Sequence, residues 1–195
     1  TRMVLNIAFA NTFFPPHVGG TARAAFLLAN ELSKRGHRVV VITSSIEGAS
    51  NVENCDGMTV YRLRSFKYPK VEFLHRADLY CTLFPESFQA ITRVLRKHKV
   101  EMLQVYGQFF DLSLMAVAAA KMLEIPVALT IGTRMQHTQP FYDAAFRVAD
   151  GNLVKRLVAD RVDRLVAVDK LMRDYIVERY RPAYGTVQFI PAPVD

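Results

Sequence analysis

Four stretches of the sequence bring small, hydrogen-bonding and titratable residues together where chemistry could be done. The first, Asn11–Thr21, reads NTFFPPHVGGT. Its Gly19–Gly20 pair stands directly before a helical pattern, where backbone N–H groups and the helix dipole favour a phosphate or another anion. Glycine suits that role because no Cβ keeps the ligand from the backbone. The alternative is that the pair only makes a tight turn. The second stretch is Tyr106–Asp111 and the third Gly132–His137; the fourth is the single residue Asp169. Around the third, Thr130, Thr133 and Arg134 lie close in sequence, and an arginine can hold a phosphate or carboxylate bidentately or simply be solvated. His17 and His137 could each serve as acid or base, or be ordinary surface and packing residues. The glycine pattern is neither GxGxxG nor GxxxxGK[ST], so dinucleotide and P-loop chemistry lack their signature.

Positioning these stretches requires a sheet, and the apolar periodicity supplies one. Val4–Ala10 is a continuous apolar run without charge, as in a strand buried on both faces. A helix follows from about Thr21 to Arg35, with Ala22, Ala25, Phe26, Ala29 and Leu32 as its apolar stripe and Gly36 as its left-handed end. Arg38–Thr43 is the next strand, completing a right-handed βαβ unit. The alternation continues through strands at Thr59–Leu63 (after a turn at Asp56–Gly57), Met102–Tyr106, Val127–Ile131, Arg164–Val168 and Val187–Ile190. Helices open at Pro85 and at Asp111, which is expected to cap its helix, and span roughly Phe141–Asp160 and Lys170–Tyr180. The predicted fold is therefore α/β: a Rossmann-like, doubly wound, mostly parallel sheet of about seven strands. In such sheets ligands bind beyond the carboxyl ends of the strands, where all four stretches fall. Only Ser65–Pro85 has no clean period. It carries Phe66, Tyr68, Phe73, Leu74, Leu79, Tyr80 and Phe84 among Arg64, Lys67, Lys70 and Arg76. It reads either as a functional insertion or as a loop folded onto the core edge.

The 195 residues fit one domain, and 51% hydrophobic against 22% charged residues allows a sizeable core. No apolar run approaches the roughly 20 residues of a membrane span. Cys55 and Cys81 belong to no CxxC or Cys/His spacing, so a reduced, cytoplasmic protein without a metal site is expected. A net charge of +7 fits an anionic membrane surface or a phosphorylated substrate. Nucleic acid is not an expected partner, because the basic residues are not interleaved with aromatics and no helix-turn-helix or zinc-finger pattern occurs.

Taken together, five segments in order resemble the retaining glycosyltransferases of family 4, which have the GT-B fold. They are FFPPHVGG with the helix and RGHRVVVIT that follow it, GMTVYRLR, PVALTIGT, DRVDRLVAVDKLMRDYI and FIPAPVD. The resemblance covers nearly the whole chain. It implies a hexosyltransferase that moves a sugar from a nucleotide diphosphate sugar to an acceptor with retention and without a cofactor or metal. It further implies that residues 1–190 form the acceptor-side domain and that 191–195 begin a linker to a C-terminal nucleotide-sugar-binding domain, so that this fragment alone would be inactive. Gly19 and Gly20 inherit contact with donor phosphate or sugar. Tyr106, Thr130, Gly132, Thr133 and Arg134 become acceptor-binding candidates, and His17 and His137 the catalytic ones.

Departures from the family pattern are equally specific. Its cleft histidine falls on Gly132, its H-x-H on Gln104 and Tyr106, its serine on Asp169, and its Asn-Gly on Ala192 and Pro193. The partners implied are a nucleotide sugar and an acceptor glycan, glycolipid or anionic small molecule, with a peripheral contact on the inner face of the membrane. The rival reading is a non-catalytic glycan- or nucleotide-sugar-binding domain on the same fold. A nicotinamide oxidoreductase ranks third. A second Rossmann-like domain with paired glutamates beyond Asp195 would decide for the enzyme.

Overall fold

A computed structural model describes residues 3–68, 80–183 and 185–191 of the chain. Its strands are β1 (Asn6–Ala10), β2 (Arg38–Ser44), β3 (Val52–Cys55), β4 (Met58–Leu63), β5 (Phe66–Lys67), β6 (Tyr80–Cys81), β7 (Met102–Tyr106), β8 (Val127–Ile131), β9 (Arg164–Ala167) and β10 (Val187–Phe189). Its α-helices are α1 (Gly20–Lys34), α2 (Pro85–Lys97), α3 (Asp111–Met122), α4 (Pro140–Val148), the single turn α5 (Lys155–Leu157) and α6 (Lys170–Tyr180). Eight strands form one sheet in the order β10-β9-β8-β7-β1-β2-β4-β3, and β5 and β6 form a separate ribbon. All pairings in the large sheet are parallel except β3 with β4.

Alternate residues of the central strands feed two cores. On one face, Ile7 and Phe9 of β1 and Val39 and Val41 of β2 meet Ala25 and Ala29 of α1. On the other, Ala8, Ala10, Val40 and Ile42 meet α2, α3 and α6 through Leu95, Ala116, Ala119 and Ile176. A strand covered on both sides must be apolar throughout, which is why these runs show no polar alternation. Alanines on β1 and α3 let the helix lie close to the sheet, so the α3 stripe is almost entirely buried.

All seven expected strands are present, and an eighth joins them. Asp56 and Gly57 have φ of 51° and 80°, the paired left-handed conformation of a two-residue hairpin turn. The turn connects β4 to β3, whose sequence VENC lies on the sheet edge, half-exposed to exposed. Two further expectations are corrected. Asp111 is the first residue of α3 rather than its cap, which is Phe110. Its carboxylate instead receives the amide of Thr82 at 2.5 Å and the Thr82 hydroxyl at 3.1 Å. The helix expected over Phe141–Asp160 is interrupted by a π-helical turn at Ala149–Val154 and ends in a 3₁₀ turn at Ala159–Arg161. The aromatic insertion begins and ends in the β5–β6 ribbon. Phe73, Leu74, Leu79, Lys70 and Arg76 lie outside the described residues, as does the expected linker apart from Pro191.

Candidate functional site

From β1 the chain crosses by α1 to β2 and β4, then returns through α2 to β7 on the opposite side of β1. Strand order therefore reverses between β1 and β7. The loops leaving these two strands diverge at their carboxyl ends and open the crevice in which doubly wound folds bind ligands.

The loop after β1 is pinned from below. Ser44 and Thr43 donate to the Thr12 carbonyl at 2.5 and 3.2 Å, and Asn11 Nδ2 donates to Thr21 O at 3.2 Å. Arg62, on β4, donates to the Pro15 carbonyl at 2.6 Å and pairs with Glu53 at 2.5 Å, its own side chain 1% exposed. Phe14 is buried and packs on Phe26. Beyond these anchors the loop rises into solvent at Val18, Gly19 and Gly20.

The geometry of the two glycines separates their possible reasons. Gly19 has φ 170°, extended backbone open to any residue. A Cβ built at either position meets nothing within 4 Å. Neither turn conformation nor internal packing thus calls for glycine here. What the missing side chains leave clear is the approach to the start of α1, whose first turn has no side-chain cap and no acidic residue. Free amides and an uncompensated dipole end face that space.

Gly107, which begins the loop after β7, is constrained by packing instead. Its φ is 78°, and a Cβ would come within 2.6 Å of the Phe110 ring. Phe110 in turn packs edge-on against Phe13 at 5.3 Å, so the two diverging loops touch across the crevice. Phe13 stacks on His17 at 4.6 Å, and Tyr80 of the ribbon closes over both rings at 6.0 Å. His17 thus stands in an aromatic cluster at the mouth of the crevice.

The loop after β8 is joined to the same crevice by Gln108, which is buried and donates to the Thr133 carbonyl at 3.0 Å. Its Oε1 is buried and accepts from no group among the described residues. Gly132 and Thr133 are exposed and Arg134 half-buried. Among the described residues the Arg134 guanidinium has no carboxylate partner. Thr130 lies deeper, accepting from Gln104 at 2.8 Å. Tyr106 is 4% exposed, parallel to Phe9, and burial drives its phenol well above the ordinary range. It underlies the crevice and does not line it. His137 stands apart from His17, at the start of α4. Its ring packs on Tyr142 and Phe146, and its Nδ1 accepts from the Gln139 amide at 3.0 Å. The His137 amide donates to Asp143, which together with Arg147 holds that carboxyl below its usual range. Asp169 accepts from the Met172 amide at 2.7 Å and so caps α6.

The loops after β1, β7 and β8 therefore carry Gly19, Gly20, His17, Thr133 and Arg134 at the ends of neighbouring strands, joined through Phe13–Phe110 and Gln108–Thr133, while His137 and Asp169 serve neighbouring helices. Gln108 and Phe110 fall within the second stretch and Tyr80 within the aromatic insertion, but sequence reasoning gives none of the three a role of its own. A polar residue two positions past a buried strand was the only local signal for Gln108. Among the described residues no three His, Cys, Asp or Glu side chains gather at metal-binding distance, and no helix is long and apolar enough to cross a membrane.

Residues 18–195 match the family model described as Glycosyltransferase Family 4. The alpha-monoglucosyldiacylglycerol synthase of Streptococcus pneumoniae is 24% identical over 176 residues, 86% of this chain and 36% of the synthase. A glycosyltransferase from Rickettsia africae aligns over 98% of this chain and 44% of its own, with a TM-score of 0.61 and 13% identity. HepE from Anabaena, solved in complex with UDP, aligns over 99% and 45%, with a TM-score of 0.59 and 11% identity. The chain spans less than half the length of each of these relatives. The two structures carry the same GT-B, Rossmann-like fold.

Proposed function

This chain belongs to glycosyltransferase family 4, and from that premise we propose that it is the acceptor-side half of a retaining hexosyltransferase. The donor is a nucleotide diphosphate sugar, whose nucleotide is held chiefly by a C-terminal domain. The observation that carries the reading is the open start of α1, with Gly19 and Gly20 clearing the way to its uncapped amides. As the sugar–phosphate bond breaks, negative charge develops on the leaving diphosphate. Donors already oriented toward that charge stabilise it without reorganising. The acceptor lies against Thr133 and Arg134, positioned by the Gln108 bond to Thr133. His17, held by Phe13 and Tyr80, is the imidazole nearest the crossing of the loops.

A glycolipid acceptor is favoured by the similarity to a glucosyldiacylglycerol synthase, and a uridine nucleotide by the UDP complex of HepE. A peripheral membrane contact accords with both. Phe66 and Tyr68 are each 46% exposed on the ribbon, beside Arg64, and Arg93 and Arg96 are exposed on α2. Arg62 takes no part, being buried against Glu53. Each basic residue near an anionic leaflet contributes about 1 kcal/mol.

The test is transfer of labelled glucose from UDP-glucose by the full-length protein to diacylglycerol in anionic vesicles, with the anomer of the product read by NMR. Expected is a product of donor configuration. Inversion refutes retention, and the absence of transfer to lipid or glycan acceptors refutes the enzyme. The second reading, a non-catalytic sugar-nucleotide-binding domain, has one observation in its favour. A Cβ at Gly132 meets only Val168 Cγ2, at 3.8 Å, so packing does not exclude the histidine that the family pattern has there. Tight UDP-glucose binding without turnover would select it.

A further inference from the structure

At the opposite edge of the sheet, under the amino ends of β1, β2 and β4, lies a cavity of about 470 Å³. Its walls include His37 and Arg38 from the start of β2, and Lys97, His98 and Lys99 from the link between α2 and β7. Among the described residues no aspartate or glutamate lines it. Arg38, Lys97 and Lys99 have no carboxylate partner among those residues either, so the wall carries three basic side chains without an ion-pair partner.

Two ordinary explanations of such a cluster do not hold here. Basic residues in a last helical turn often serve its free carbonyls. In α2 those carbonyls are taken by backbone amides: His98 N donates to Val94 O at 3.1 Å, Lys99 N to Arg96 O at 3.0 Å and Val100 N to Leu95 O at 3.0 Å. Nor is the cluster loose. The Tyr61 hydroxyl joins Lys97 Nζ at 3.1 Å and His98 Nε2 at 2.9 Å, and Asn6 Nδ2 holds the Lys99 carbonyl at 3.1 Å. His37 Nδ1 accepts from the Leu5 amide at 3.2 Å, which leaves its Nε2–H as a further donor. The nearby Glu101 accepts from the Asn6 amide at 2.9 Å and is not among the residues of the wall.

We propose that this cavity is a second anion site, which binds a phosphate-bearing ligand through Arg38, Lys97, Lys99 and His37. It lies across the sheet from the transfer crevice and does not depend on the function assigned to that crevice. Beside the apolar Ile7, Val39, Val40 and Val100, the wall carries three basic side chains and two imidazoles and no carboxylate, which suits a group made only of acceptors, as the oxygens of a phosphate ester or diphosphate are. The cavity is larger than inorganic phosphate needs, so the ligand carries an organic portion or a second phosphate. The phosphate reaches it either on a soluble molecule or on a lipid headgroup.

Inorganic pyrophosphate titrated into the ¹⁵N-labelled chain at low salt is the direct test. Expected are saturable shifts of the amides at 37–38, 57 and 97–100, weakened by added salt. In Arg38→Gln/Lys99→Gln affinity should fall about tenfold, and Arg38→Lys/Lys99→Arg should restore most of it. Both positions are exposed, and the unperturbed spectrum of each variant reports its fold. A parallel arm adds phosphatidylcholine vesicles with and without phosphatidylglycerol. Loss of signal from the same amides only with phosphatidylglycerol, absent a pyrophosphate response, assigns the phosphate to lipid; the reverse pattern assigns it to a soluble ligand. The proposal is overturned if neither probe moves these amides. It is overturned equally if the shifts are confined to Gly19–Ala22, or if the glutamine variant binds as the wild type does.

Discussion

Asp150 is the most consequential side chain outside the crevice, and its removal makes a quantitative test of the packing described above. It sits in the π-helical turn with no exposed surface. Its carboxylate accepts from the hydroxyls of Tyr175 and, at 2.6 Å, Tyr180, and forms an ion pair with Arg179 Nε at 3.4 Å. Truncation in Asp150→Ala strands two buried hydroxyls. Hydrogen bonds to a charged group are worth about 1.5–3 kcal/mol each. The Arg179 side chain is 23% exposed, so its ion pair is partly screened and adds less. A total loss of about 4 kcal/mol follows, within the range for breaking a buried ionic network. For a domain of this size that lowers Tm by roughly 8–16 °C. Tyr180→Phe removes one donor and leaves Tyr175 and Arg179 in place, so it should cost only one such bond, about 1.5–3 kcal/mol. Urea unfolding followed by circular dichroism measures both. An Asp150→Ala loss below about 1 kcal/mol, or a Tyr180→Phe loss equal to it, would refute the network as the source of stability. The same site sets an alkaline limit. Burial and then the bond to Asp150 push Tyr175 up to about 12 from 10.0. A raised folded pKa means stability fully present below pH 10.0 and lost as pH climbs toward about 12. The Met135 backbone amide also faces the Tyr175 hydroxyl, so loosening the network reaches the loop that carries Thr133 and Arg134.

Gly20→Val in the full-length protein should abolish sugar transfer and leave the fold intact, because a Cβ at this position meets nothing within 4 Å; unchanged turnover with a native circular dichroism spectrum would show that the opening plays no part. Gly107→Ala should behave oppositely, destabilising by about 1–3 kcal/mol, since its φ of 78° and the Phe110 ring both resist a Cβ; a neutral unfolding midpoint would contradict that. His98 is held below its ordinary pKa by burial and then by Lys97, so the unfolded chain binds the proton more readily. Stability should therefore rise with pH between about 5 and 7. His98→Gln should flatten that slope, and a slope of opposite sign would refute the assignment.

The seven strands of the parallel core were legible in the sequence because burial on both faces demands uninterrupted apolar runs. The breaks between them were marked by residues that the local backbone requires, Gly36 at φ 92° after α1 and Asp56–Gly57 in the hairpin. The loops after β1 and β8 could likewise be located, since any ligand in such a sheet meets the residues just past its strands. Strand β3 could not, because an edge strand buries little and VENC carries no apolar signature. Nor could the roles inside the loops. Asp111 has the residue type of a helix cap, and only the arrival of Thr82 beside it turns it into an anchor for the ribbon. Tyr106 ends a strand like its neighbours, and only the register against Phe9 places it under the crevice. His17 and His137 are equivalent as letters; the tertiary structure puts one among Phe13 and Tyr80 and the other against α4. Local pattern records what each segment needs to be buried. Which side chains meet across segments depends on strand order and register, and these are decided by contacts between residues distant in the chain.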